Sequence, residues 1–271
     1  MKAHPSAAIH PRARLASSVT VGPFAVIGEG VEMGEDCEVM SHVVLGGNTR
    51  LGRGNRIFPF TTLGLDPQDL KYRGEPTRVE IGDGNTFREG VTVHRGTAEG
   101  GGLTRIGSHS LLMAYAHVAH DCRVGDHVIM ANAATLAGHV EIGDHATVGA
   151  YCGVHQFCRV GAYSFVGGYT VVTQDVLPYS KSAAPRPVQV LGANRIGLER
   201  RGLSRAEMDE LDQALRLLCR SKLNTTQALE AIEARKFASP HVRTLLEFVR
   251  SSERGVLRGS GARRLASAAE V

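Results

Sequence analysis

The chain has no tryptophan, and aromatic residues make up only 5% of its 271 positions, which excludes a thick core built around large rings. Nowhere do apolar residues run to the roughly 20 that carry a helix across a bilayer, so no transmembrane segment is expected. Nor does the N-terminus pair a basic start with an apolar stretch. No secretory leader is therefore expected, and the cytoplasm is the expected compartment.

What fills the chain instead is a period of six. Aliphatic residues fall at Ile9, Leu15, Val21, Ile27, Met33, Val39, Leu45, Leu51, Ile57 and Leu63, resume at Ile81, Phe87 and Val93, and then run from Ile106 to Val172. Four residues after each comes a small or β-branched side chain, such as Ala13, Val19, Ala25, Val31 and Cys37. Neither a helix nor a freely alternating strand produces that period. A long hexapeptide repeat builds a mainly β fold, a parallel β-helix whose triangular coils each take three units and stack at roughly 4.8 Å. One coil cannot bury its own apolar side, so stability comes from its neighbours. Cys37, Cys122, Cys152 and Cys158 occupy inward small positions and read as core filler. Cys122 and Cys158 stand two coils apart, roughly 10 Å, beyond disulfide reach.

The beat stops near Pro178, and after Ala184-Pro185-Arg186-Pro187 the pattern turns helical. Ser204 with Glu207 forms a capping box, Thr225 or Thr226 opens a second helix, and Ser239-Pro240 starts a third. The expected division is a β-helix over 1–185, a small C-terminal α-helical domain over 186–254 and a frayed tail over 255–271. Residues 186–271 hold 16 basic and 10 acidic side chains, net +6, while the remainder is net −2. That asymmetry suits an acidic partner docking on the helical part.

The repeat is interrupted twice, and insertions in a repeat scaffold become loops that tend to carry function. Residues 66–76 are polar and charged; residues 96–103 are glycine-rich. The second lacks the lysine and serine of a phosphate-binding loop and reads as a flexible flap or a subunit contact.

Twelve histidines fall into two families when counted against the eighteen-residue coil. His109, His127 and His145 repeat at eighteen and should stack on one outer face as solvated imidazoles, with metal binding as the rival reading. His120, His139 and His155 differ from whole coils by one or two residues, and with His117 they converge along one edge. Imidazoles take protons near neutral pH. Gly138, before His139, lets a backbone N–H approach an oxyanion.

In order along the chain, Gln68-Asp69-Leu70-Lys71-Tyr72, His94-Arg95-Gly96-Thr97, Ala116-His117-Val118-Ala119-His120-Asp121-Cys122, Leu136-Ala137-Gly138-His139-Val140, Val154-His155-Gln156-Phe157-Cys158 and Gly197-Leu198-Glu199-Arg200-Arg201-Gly202 resemble the bacterial UDP-N-acetylglucosamine 3-O-acyltransferase family. The likeness runs from about residue 9 to 258. It implies a left-handed prism, a homotrimer with sites between prisms, and transfer of a 3-hydroxyacyl group from acyl carrier protein to UDP-N-acetylglucosamine in lipid A biosynthesis. It further implies His120 as general base, Asp121 as its support and the Gly138 N–H as oxyanion donor. Substrate contacts would come from Gln68, Asp69, Lys71, His117, His139, His155, Gln156, Asn194, Arg200 and Arg201, and Gly168 would stand at the position that limits acyl length, its missing side chain admitting a relatively long chain. No cofactor, metal or nucleic acid is expected to take part. Glu199 and Ile196 depart from the family's usual charged residues. The rival readings are a zinc-dependent γ-class carbonic anhydrase and a non-catalytic trimeric scaffold.

Overall fold

The computed structural model of the chain describes residues 1–183 and 189–258. The boundary segment 184–187 and most of the expected tail lie outside them.

Each six-residue beat becomes a two-residue strand and a corner, and successive strands rotate through three parallel sheets. The first face begins with Lys2–Ala3, the second with Ala8–Ile9 and the third with Arg14–Leu15, so the prism starts one strand before Ile9. Every strand pairs with the next one on its face, as Leu112 pairs Met130 and Met130 pairs Val148. Ile27, Leu45, Leu63, Leu112, Met130 and Leu136 point inward and are fully buried. Cys37, Cys122, Cys152 and Cys158 are buried and free, as their place in the repeat requires. Burial pushes the Cys122 thiol up to about 12, so it stays protonated and inert.

The corners demand a left-handed backbone, normally a glycine conformation. Here rings take most of them: Tyr115, His127, His139, His145, Phe157 and Tyr163 all have positive φ, as does Asp121. Stacking on the coil above offsets part of that strain. His127 and His145 stack at 4.6 Å with planes 2° apart, and the column continues through Tyr163 and Tyr179 to His241. The histidine ladder is therefore a corner column that reaches the helical part, not an array on a face.

Past the prism the order departs from expectation. Gln189–Ala193 is a strand antiparallel to Ser180–Ala183, so residues after 186 first add to the sheet. Among the described residues four helices follow: α1 (Arg195–Arg200), α2 (Arg205–Arg220), α3 (Thr225–Ala234) and α4 (Pro240–Arg250). The Ser204–Glu207 capping box is present, and Thr225 opens α3 as expected, with Asn224 and Gln227 forming its capping box. α4 is held to the prism by Arg159, which pairs with buried Asp175 at 3.0 Å and lies over Phe248. The frayed-tail expectation fails for residues 255–258: Leu257 is buried, and Arg258 donates to Leu218 O and Leu223 O. No helix among the described residues is long and apolar enough to cross a membrane.

Candidate active site

The corner between the second and third faces brings the expected residues together. Three turns stack there, linked by His139 N–H to His120 O and by Phe157 N–H to Gly138 O. Asp121, His139 and Phe157 occupy equivalent left-handed positions, one per coil. The His120 Nδ1 lies 2.8 Å from Asp121 Oδ2, and His139 Nε2 lies 3.8 Å from the same oxygen. His139 in turn stacks on Phe157 at 4.5 Å.

Asp121 is almost wholly buried, its side chain 1% exposed. Its partners come from the second interruption: the Thr97 N–H donates to Oδ1 at 2.9 Å and the Thr97 hydroxyl to Oδ2 at 2.7 Å. Burial raises the carboxyl's pKa, yet hydrogen bonds from His120 and Thr97 outweigh it and hold the group below the ordinary carboxylate range. Loop 96–103 is therefore no free flap but the cover of Asp121. Gly100 follows from that contact, since a Cβ on it would lie 2.1 Å from the Asp121 carboxylate carbon. Thr97 was missed as a site residue because counting by eighteen cannot cross an insertion. The motif His94-Arg95-Gly96-Thr97 was its only signal.

Gly138 lies against the other edge of the His120 ring. A Cβ there would sit 2.5 Å from Cε1 and 2.8 Å from Nε2, so a side chain and the imidazole cannot share the space. The Gly138 backbone thus packs directly against the His120 ring on the side of Cε1 and Nε2.

His117 projects from the second face, its Nδ1 2.6 Å from Thr92 Oγ1, and meets buried His94 edge-on. Burial, then the neighbouring His94 and His120, lower its pKa from 6.5 to about 4. The unfolded chain takes up this proton below about pH 6.5, while the fold resists it until about 4. The neutral ring therefore stabilises the fold above that window, and stability falls as pH drops through it. Urea unfolding at pH 7 and pH 5 should show the wild type losing roughly 1 kcal/mol more than His117→Gln, after allowance for solvent screening. Equal losses would contradict this reading.

The remaining expected residues are dispersed. His155 and Gln156 share the corner of His120, but the His155 Nδ1 lies 3.2 Å from Gln156 O and 3.4 Å from the Arg254 guanidinium. Gln68 is exposed; Asp69 accepts from the Lys71 N–H, and Lys71 pairs with Glu99 at 3.0 Å, tying the two interruptions together. Arg95 adds further ties to the first loop through Asp66 and the Tyr72 hydroxyl. Gly168 sits on the corner between the first and second faces, beside Ala150. Asn194 caps α1 and donates to Tyr163 O, and Arg201 lies over the Tyr163 ring at the third corner. Arg200 is exposed at the end of α1, as are Glu199 and Ile196. One chain therefore spreads these groups over all three corners.

A family model described as UDP N-acetylglucosamine O-acyltransferase, domain 2, matches residues 175–257. One for bacterial transferase hexapeptide repeats matches residues 103–138 and 139–174. The acyl-[acyl-carrier-protein]–UDP-N-acetylglucosamine O-acyltransferase of Thermodesulfovibrio yellowstonii is 46% identical over 255 residues, covering 94% of this chain and 98% of its own. The enzyme of that name from Saccharophagus degradans is 49% identical, with the same coverage of both chains. The crystal structure of Francisella novicida UDP-N-acetylglucosamine acyltransferase superposes with a TM-score of 0.92 at 38% identity, covering 99% of each chain. The shared architecture is a left-handed parallel β-helix followed by a small helical domain.

Proposed function

The chain belongs to the UDP-N-acetylglucosamine O-acyltransferase family, and on that basis we propose that it moves a 3-hydroxyacyl chain from an acyl carrier protein thioester to the 3-hydroxyl of UDP-N-acetylglucosamine, the opening reaction of lipid A synthesis. The observation that carries the mechanism is the His120–Asp121 contact with Gly138 packed on the opposite ring edge.

Asp121 accepts the Nδ1 proton of His120, which leaves the Nε2 lone pair facing outward. Nε2 takes the hydroxyl proton as the sugar oxygen attacks the thioester carbon. The Gly138 N–H donates to the carbonyl oxygen as it becomes negative. Collapse expels the carrier thiolate, which recovers the proton from His120. Asp121, held anionic by Thr97, stabilises the transient imidazolium. The Thr97 hydroxyl and N–H keep that carboxylate from turning away, so we assign Thr97 a positioning role. His117, kept neutral, is suited to hydrogen-bond a sugar hydroxyl without competing for the proton. His139, His155 and Gln156 extend the same corner along the substrate. Asp69, Lys71 and Gln68 border it from the first loop. Asn194 holds α1, so that Arg200 and Arg201 offer positive charge to the nucleotide phosphates or to the acidic carrier.

The dispersal of these groups supports a homotrimer. A substrate touching His120, Gly168 and the Arg200–Arg201 pair cannot wrap one prism, but it can lie between two. Exposed apolar side chains also gather on the corner between the first and second faces and its flank: Phe24, Val26, Phe60, Tyr115, Tyr151, Tyr169 and Val171. Such a column is a surface that a second copy would cover.

The direct test is an assay with radiolabelled UDP-N-acetylglucosamine and a panel of acyl carrier protein thioesters. Failure to form product with any thioester would refute the proposal. Acyl preference supplies a finer check. Gly168 is exposed and open outward, its nearest neighbour to a built Cβ being Ala150 O at 3.2 Å. Gly168→Met should move the preferred acyl chain shorter by several carbons with turnover on the short chain retained. An unchanged chain-length profile would remove Gly168 from the acyl path.

A further inference from the structure

His120, Asp121 and His139 each offer one ligand atom, and those atoms lie within 4.8 Å of one another. Among the described residues no other set of three such groups does. The two measured separations from Asp121 Oδ2, 2.8 Å to His120 Nδ1 and 3.8 Å to His139 Nε2, straddle the spacing a small cation imposes. Zinc bonds nitrogen and oxygen at about 2.0–2.1 Å, which sets tetrahedral ligands roughly 3.3 Å apart. A shift of about half an ångström in each ring would seat the ion. The carboxylate is already held in place by Thr97, and His139 by its stack on Phe157. Two imidazoles and a carboxylate suit zinc and its late first-row neighbours, with one position left for water.

We propose that this corner is also a divalent-metal site of the zinc class, and that metal bound there switches the enzyme off. In the working form His120 carries its proton on Nδ1. A cation on Nδ1 displaces that proton to solvent, and the ring takes one from solvent on Nε2. One proton leaves and one arrives, so the ring stays neutral and no co-reactant is consumed. Nε2 is then a donor and cannot accept the hydroxyl proton. The inhibition rests on the acyltransferase reading above; the metal binding does not.

The stacked column of His109, His127 and His145 is the competing place for zinc. Its rings lie in near-parallel planes, 4.6 Å apart between His127 and His145, so their nitrogens do not converge on a point.

Equilibrium dialysis of the full chain against Zn²⁺ alone separates the two. The wild type should hold about one tightly bound zinc ion per chain. His139→Asn and Asp121→Asn should each bind zinc more than about tenfold more weakly, with thermal melting confirming their fold. His127→Ala should bind as the wild type does. On the active wild type, Zn²⁺ should abolish turnover over the same concentrations, and chelator should restore it. Absence of tight zinc on the wild type would overturn the proposal. So would full binding by His139→Asn and Asp121→Asn alongside loss in His127→Ala. Zinc bound with turnover unchanged would overturn the inhibition while leaving the acyltransferase reading intact.

Discussion

His120→Ala is expected to lower turnover by about 10²–10⁴-fold while leaving the chain folded. The loss corresponds to roughly 3–5 kcal/mol of barrier, the amount a positioned base supplies. No neighbour can replace it: His117 is held neutral and bonded to Thr92, and His139 is fixed against Phe157. The fold should survive because the ring lies on a corner, outside the apolar prism. Asp121, moreover, keeps both of its Thr97 hydrogen bonds when the imidazole is gone. Steady-state kinetics with the matched thioester, together with thermal melting, measure both halves. Wild-type turnover in the folded variant would leave the non-catalytic scaffold as the better description.

Gly138→Ala should be nearly as damaging, for a reason legible only in three dimensions. The residue's φ is not in the left-handed region, so alanine is acceptable to its own backbone. The obstacle is the His120 ring, 2.5 Å from where the new methyl would stand. That ring cannot retreat freely, because Nδ1 is bonded to Asp121 and Asp121 is bonded to Thr97. Either the imidazole tilts out of line or the Gly138 segment lifts, taking its N–H from the oxyanion position. Misplacement of this size costs about 10²-fold in rate. The fall should appear in kcat more than in KM, and a melting shift of about 1–3 kcal/mol should accompany it. Undiminished kcat would mean that base and oxyanion donor do not meet at this point.

How far the sequence could be read depends on where its period holds. Within an unbroken run, residues eighteen apart are neighbours, so counting alone joined His109 to His127 and placed His120 beside the turn of Gly138 and His139. Across an interruption the ruler fails. Arg50 pairs with Glu80, thirty residues on, and Thr92 with His117, twenty-five on. Thr97 lies inside such an interruption, and its contact with Asp121 follows no period. The same limit hid the hairpin of Ser180–Ala183 with Gln189–Ala193 and the docking of Arg258, both made by chain outside the repeat.

The amino-acid order by itself determined the prism, its buried aliphatic and cysteine lining, the capped helices α2 and α4 and the convergence of imidazoles at one corner. Each rests on local periodicity or on contacts one coil away, where backbone spacing leaves no freedom. Only the tertiary structure decided that the glycine-rich loop closes over Asp121, that Gly138 is small because a ring occupies its side-chain space, and that the remaining substrate groups stand on other corners. Those outcomes depend on how an insertion folds back and on which atoms compete for one volume, and neither is written in any repeat. The period of six located the corner; packing around Asp121 assembled there the site we propose for catalysis.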